Sequence, residues 1–189
     1  ICRLCVHTPV LVIPNGVSPE DVHLDSTLMW RQEGTPKLFF LGRIDSHNKG
    51  LDILLNAFAE IAKMSDAQLT LQGPDWGDRP TLEKQVARLA LSNRVTFLEP
   101  DYQASPSSLI ANYDIFCIPS RFEGFSLSAL EAMLAGRVLL ISEIAGIAPH
   151  VRASGCGVVV KPEANAILTG FQELLQRRSE WRTTGLQER

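Results

Sequence analysis

The sequence contains no apolar run near the roughly 20 residues that a membrane-crossing helix needs. Polar breaks such as the one inside ISEIAG, Ile141 to Gly146, interrupt each run. No signal-peptide pattern stands at its start. Positive charge is not in excess, since the formal net charge is −3, so there is no general basic surface for nucleic acid. Cysteine is scarce, with four in all. Cys2 and Cys5 form a C-x-x-C, but no second ligand pair follows, and Cys117 and Cys156 lie in an apolar run and a Gly-flanked turn. Such a motif without context does not make a metal or redox site, and four reduced thiols of a cytosolic protein are expected. GxGxxG, GxxxxGK[ST] and HExxH are all missing. His7, His23, His47 and His150 show no triad spacing, and His47 reads as a solvated loop residue. Asp75 and Asp78, the one close aspartate pair near a strand end, sit in a loop rich in Pro and Gly. They read as turn residues and not as ligands of a divalent metal.

What is present suits one domain with a real core: 189 residues, 45% hydrophobic and 21% charged. The chain is expected to be a single domain over residues 1–189. Its first residue, Ile1, is not Met, which suggests the middle of a longer protein, so the lack of a targeting segment says little about the parent. Short apolar runs are expected as strands: Val10 to Ile13, Lys37 to Leu41, Leu69 to Leu71, Val95 to Leu98, Ile115 to Ile118, Val138 to Ile141 and Gly157 to Val160. The first ends at a Pro14-Asn15-Gly16 turn, and Ser18 to Gly34 is polar and irregular. Leu51, Leu54, Leu55, Phe58, Ile61 and Ala62 recur at helical spacing. So do Leu82, Val86, Leu89 and Ala90 behind Pro80, read as the first residue of its helix, and Ala164 to Leu175. Ser105-Pro106 reads as a cap and first-turn proline. Asp45 to Asn48 and the segment around Gly146 read as loops. Strands alternating with amphipathic helices imply a doubly wound, Rossmann-like α/β domain, a parallel sheet with helices on both faces. Ligands of such sheets bind beyond the C-terminal strand ends.

Four polar motifs follow strands and so gather on that edge: Gly42 to Lys49, Gly73 to Asp78, Leu98 to Tyr102 and Ser120 to Ser126. The last belongs to PSRFEGFSLSALEAMLAG, Pro119 to Gly136, which reads as strand, tight loop and helix. A helix N-terminus attracts an anion, because its first N–H groups lack partners and the dipole is positive there. Arg43 and Lys49, each beside a glycine, add two cations that could neutralise a diphosphate. In a reaction that expels a diphosphate they would stabilise charge as it develops. Glu123 and Glu131 invite an acid–base hydrolase reading. One sits in a loop and the other beyond the first turn of a helix, so they point at different parts of a ligand. They suit hydrogen bonds to the hydroxyls of a sugar and of a ribose. Glu131 lies among Ala129, Leu130, Ala132 and Met133, where a carboxylate either has a partner or costs stability.

These residues resemble the C-terminal, nucleotide-sugar-binding domain of GT-B glycosyltransferases, most closely the retaining family 4 type. The matching pieces are IPNGV (Ile13 to Val17), FLGRIDSHNKGLDILLNAF (Phe40 to Phe58), LTLQG (Leu69 to Gly73), RVTFLEP (Arg94 to Pro100) and PSRFEGFSLSALEAMLAGRVLL (Pro119 to Leu140). The resemblance implies one half of a GT-B fold, with the N-terminal acceptor domain absent from this chain. It implies a catalytic set of Glu123, Arg43 and Lys49. Arg43 and Lys49 would hold the donor diphosphate beside Gly42, and the backbone of Gly124, Phe125, Ser126 and Leu127 would meet phosphate and sugar. Glu123 would face the sugar, Glu131 would bind the ribose, and the segment from Leu98 and Glu99 to Asp101 would contact the base. No metal and no other cofactor is implied.

The sequence departs from the pattern at Glu99-Pro100, where many members carry a glycine. It departs again at AGRVL, which lacks a proline, and at Gly146-Ile-Ala-Pro149, which lacks a glutamate. The expected ligand is a nucleotide sugar, UDP-, GDP- or ADP-linked, with a glycan or lipid-linked acceptor reached through the missing domain. The chain by itself is expected to bind but not to turn over. The expected location is the cytoplasm, with peripheral membrane contact open to the full-length protein. A non-catalytic nucleotide-binding module is the alternative. An epimerase or a phosphorylase is a further enzyme reading, but no lysine motif for a pyridoxal cofactor is present.

Overall fold

In a computed structural model, which describes residues 33–186, six apolar runs pair into one parallel sheet. The expectations for Cys2, Cys5, His7, His23, the strand Val10 to Ile13, the turn after it and nearly all of Ser18 to Gly34 lie outside the described residues. The strands are β1 (Lys37–Leu41), β2 (Gln68–Gln72), β3 (Val95–Leu98), β4 (Ile115–Ile118), β5 (Val138–Ser142) and β6 (Gly157–Val160). Their spatial order is β3-β2-β1-β4-β5-β6. The order reverses between β1 and β4, and crossovers leave in opposite directions there, opening a crevice beyond the strand ends.

The helices are α1 (Ser46–Lys49), α2 (Leu51–Met64), α3 (Arg79–Arg88), α4 (Pro106–Ile110), α5 (Leu127–Leu134), α6 (Ala148–Ser154), α7 (Ala164–Gln176) and α8 (Trp181–Leu186). They cover the sheet in two layers. Leu38, Phe40, Ile115, Cys117 and Leu140 join one core with the apolar stripes of α2 and α7. Phe39, Phe116, Ile118, Leu139 and Ile141 join the other, with α5 and α6. Successive strand residues alternate between the two clusters, the period of two that a pleated strand imposes. A sheet buried on both faces needs continuous apolar runs, which is why these strands show no polar alternation.

Two elements are helical where loops were expected. One is α1, a single turn capped by Asp45, whose carboxylate accepts from the Asn48 N–H at 2.9 Å and from its Nδ2 at 2.7 Å. The other is α6, seven residues with Ala148 and Val151 buried. Neither is long enough to show a periodic stripe. The helix at Pro80 begins one residue earlier, at Arg79. A tight turn ends α5: Gly136 is left-handed at φ 63, its N–H donates to Met133 O, and the Arg137 N–H donates to Ala132 O. This satisfies carbonyls that the last helical turn leaves open. No helix among the described residues is long and apolar enough to cross a membrane.

The loops after β1 and β2 touch backbone to backbone. Gly73 has φ 146, and a Cβ there would stand 2.0 Å from the carbonyl oxygen of Gly42. Gly77 has φ 99 but open space around it. Gly73→Ala should therefore destabilise the chain by about 1–3 kcal/mol in urea unfolding, and by more than Gly77→Ala. Equal losses would show that the close approach carries no cost beyond backbone strain.

Candidate functional site

The β1–β2 pairing continues past the strand ends. The Gly42 N–H donates to Gln72 O at 3.0 Å, that of Ile44 to Pro74 O at 2.9 Å, and that of Trp76 to Ile44 O at 3.2 Å. The Gly73 N–H donates to Leu98 O. Three loops are thus stitched together on one edge of the sheet, and Arg43 is held between two hydrogen-bonded neighbours. Asp75 and Asp78 act as turn residues. The Asp75 carboxylate accepts from the N–H groups of Gly77 and Arg79, and that of Asp78 accepts from the Ser46 N–H at 2.7 Å.

The β4 loop is joined to the β1 loop by a second set of contacts. Gly50, left-handed at φ 66, lies so close to Pro119 that a Cβ would stand 2.2 Å from its carbonyl oxygen. Asn48 O accepts from the N–H groups of Arg121 and Phe122. The Arg121 guanidinium makes two bonds to Asp52, at 2.7 and 2.8 Å, and a third to His47 O at 3.1 Å. Burial pushes the Asp52 carboxyl up, but the hydrogen bonds and charge of Arg121 outweigh it and leave the group below its ordinary value. Asp45 likewise ends below its ordinary value, with burial opposed by the bonds from Asn48 and by the charges of Arg43 and Lys49.

These contacts bring Lys49 to Glu123. Lys49 Nζ donates to Glu123 Oε2 at 2.8 Å, and Ser120 Oγ donates to the same oxygen at 3.2 Å. Arg43 is placed differently. Its guanidinium carbon lies 4.2 Å from the centroid of the Trp76 ring. Next comes the start of α5. Ser126 holds a positive φ of 65, unusual for a residue with a side chain, and its Oγ accepts from the Ala129 N–H. The neighbouring Gly124 O accepts from the Gly146 N–H, and a Cβ on Gly146 would stand 2.7 Å from that oxygen. Gly146 thus keeps a structural place although no glutamate follows it.

All of this surrounds a cavity of about 570 Å³, a size ordinary for a small-molecule site. Gly42, Arg43, Lys49, Glu123, Ser126, Leu127 and Glu131 line it. Leu98, Glu99, Gly124 and Phe125 do not. The Leu98 carbonyl is taken by Gly73 and the Glu99 carbonyl accepts from Gln72 Nε2 at 3.0 Å, while the Glu99 carboxylate pairs with Arg79. Phe125 stands edge-on to the His150 ring, 6.3 Å away. Pro100, Asp101 and Tyr102 line the cavity in that region instead. Tyr102 is 79% exposed. An exposed aromatic just past a strand end was the available signal for it, and for Trp76. Cys117 takes no part, since burial pushes its thiol up to about 12. Among the described residues no cluster of His, Cys, Asp or Glu could hold a metal ion.

Chemically, the arrangement offers two cations, a helix N-terminus and two carboxylates around one space. Glu131 is half-buried, its carboxylate accepts no hydrogen bond from the described residues, and its carboxyl is pushed above its ordinary value by desolvation. The acceptor it offers is one that a ligand hydroxyl would satisfy.

The chain is similar to known proteins. A family model described as glycosyl transferases group 1 matches residues 35–177. The MMP alpha-(1->4)-mannosyltransferase of Mycolicibacterium hassiacum is 30% identical over 179 residues, covering 90% of this chain and 43% of that protein. The C-terminal domain of LpcC, a group 1 glycosyl transferase family protein of Francisella tularensis, superposes with a TM-score of 0.77 at 20% identity, covering 92% of this chain and 94% of that one. HepE of Anabaena, solved in complex with UDP, gives a TM-score of 0.69 at 22% identity, covering 91% of this chain and 49% of that one. The two solved structures share the fold of this chain. The chain spans less than half the length of the curated relatives it matches.

Glu131 sets a pH dependence. Its folded-state value lies above the unfolded one, so the folded chain binds the extra proton between the two. Stability therefore falls as pH rises through that window. Glu131→Gln should melt at a higher temperature than the unaltered chain at pH 7, and the difference should shrink as the pH drops below the ordinary carboxylate value of 4.5. A variant no more stable at pH 7 would mean that its carboxylate is not desolvated.

Proposed function

The chain belongs to the glycosyl transferases group 1 family, and we propose that it is the donor half of such an enzyme. On this reading it holds a nucleotide sugar, and with an acceptor domain outside this chain it transfers the sugar with retention of anomeric configuration. The observation that carries the reading is the meeting of Arg43, Lys49, Glu123, Glu131 and the start of α5 around one cavity. It lies where the strand order reverses, the position at which open α/β sheets take their ligands.

Arg43 and Lys49 meet the diphosphate, together with the Leu127 and Ser128 N–H groups at the start of α5. As the sugar–phosphate bond breaks, negative charge grows on the leaving phosphate, and the same groups stabilise it. A diphosphate that takes Lys49 competes with Glu123 for it, and a Glu123 released in this way can receive sugar hydroxyls. Glu131 accepts from the ribose. Two cations and a helix dipole supply the charge that a divalent metal supplies elsewhere, so metal is not required. Pro100 to Tyr102 flank the base. The UDP bound by HepE supports a nucleoside diphosphate as the core of the ligand. The acceptor, a glycan or a lipid-linked sugar, approaches from the other domain, in the cytoplasm or at its membrane surface.

Calorimetric titration with UDP-, GDP- and ADP-sugars tests this. One nucleotide class should bind, with affinity unchanged by EDTA. Arg43→Ala and Lys49→Ala should each weaken it about tenfold or more, as expected for loss of charge-assisted bonds to phosphate. Absence of binding by all three classes, with Arg43→Ala indistinguishable from the unaltered chain, would sink the proposal.

A further inference from the structure

Trp76 has no place in the motifs that carry the family resemblance, yet it touches Arg43, the cavity cation that makes no ion pair among the described residues. We propose that Trp76 is a positioning residue for Arg43, holding the guanidinium ready for the phosphates of a nucleoside diphosphate. The proposal rests on the donor-site reading above.

The contrast between the two cations motivates it. Lys49 is held by a carboxylate, Glu123, at 2.8 Å, a partner that occupies its donors and offsets its charge. The Arg43 guanidinium carbon lies over the face of an indole, 4.2 Å from the ring centroid. No hydrogen bond or ion pair from the described residues occupies its N–H groups. An aromatic face attracts the cation through its quadrupole. A ring face holds the cation without an oxygen acceptor, so the five N–H donors of the guanidinium are not spent on a carboxylate and remain for phosphate oxygens. A carboxylate in the same place would take those donors. Trp76 therefore restrains the arginine without competing with the ligand.

The backbone that carries the indole is firmly held. Trp76 N–H donates to Ile44 O, Ile44 N–H donates to Pro74 O, and Ile44 and Asp75 form a parallel bridge. Asp75 closes the turn on the other side through the N–H groups of Gly77 and Arg79. Arg43 lines the cavity and Trp76 does not, so the ring acts on the ligand through the arginine. Trp76 is 62% exposed, so core packing does not account for a large aromatic at this point of the loop.

The test is calorimetry on the 189-residue chain, with UDP, GDP and ADP and their nucleosides as probes. Trp76→Ala should weaken the nucleoside diphosphate that binds by about two- to fivefold, the range of an exposed cation–π contact. Binding of the matching nucleoside should not change. Trp76→Phe should recover most of the loss. In an Arg43→Ala background, Trp76→Ala should add no further loss, an outcome that a merely structural role would not produce. Equal losses with and without Arg43, or no loss in Trp76→Ala where Arg43→Ala does weaken binding, would overturn the positioning role alone. If none of the three nucleoside diphosphates binds the unaltered chain, the donor-site reading falls, and this role falls with it.

Discussion

The junction of α1 and α2 lies directly against the β4 loop, and the geometry of the cavity depends on that approach. Gly50 permits it, because any side chain there would enter the carbonyl oxygen of Pro119. Arg121 secures it with two bonds to Asp52 and one to His47 O. With these two strand-end loops fixed together, Lys49 reaches Glu123 although 74 residues separate them in sequence. If the approach were lost, the two halves of the sheet would still form, but the groups at their boundary would no longer face one space.

The polar groups around the cavity are restrained to different degrees. Lys49 and Glu123 hold each other, Arg43 is backed by Trp76, and Ser126 is kept at a positive φ that a serine adopts rarely. The Glu131 carboxylate is left half-buried without a partner among the described residues. Strain and unpaired polar groups collect at ligand sites, because what destabilises the fold there is offset when the ligand arrives. The surrounding sheet, apolar on both faces, supplies the stability that lets a few such residues persist.

The fold was largely legible because the six described strands are uninterrupted apolar runs and the long helices carry apolar stripes. What could not be read were α1, α6 and α8, too short for periodicity to register. In the site, the charged members after strand ends and on the helix that follows β4 were legible: Arg43, Lys49, Glu123 and Glu131 all line the cavity. Leu98 and Glu99 were also expected there. Their carbonyls instead serve Gly73 and Gln72, a choice made by the pairing of neighbouring strands and invisible in the local sequence. Phe125 turned to the protein side, against His150.

The sequence by itself determined the class of fold, the edge of the sheet at which polar loops gather, and which charged residues stand there. Those properties follow from local patterns: runs of apolar residues, helical spacing, and glycine or proline at turns. Only the tertiary structure decided which cation pairs with a carboxylate and which rests on an aromatic ring. It also decided which backbone carbonyls are already taken, and that the Glu131 carboxylate has no partner among the described residues. Pairings of this kind join residues tens of positions apart across different strands, and they exist only after the sheet has brought its loops together.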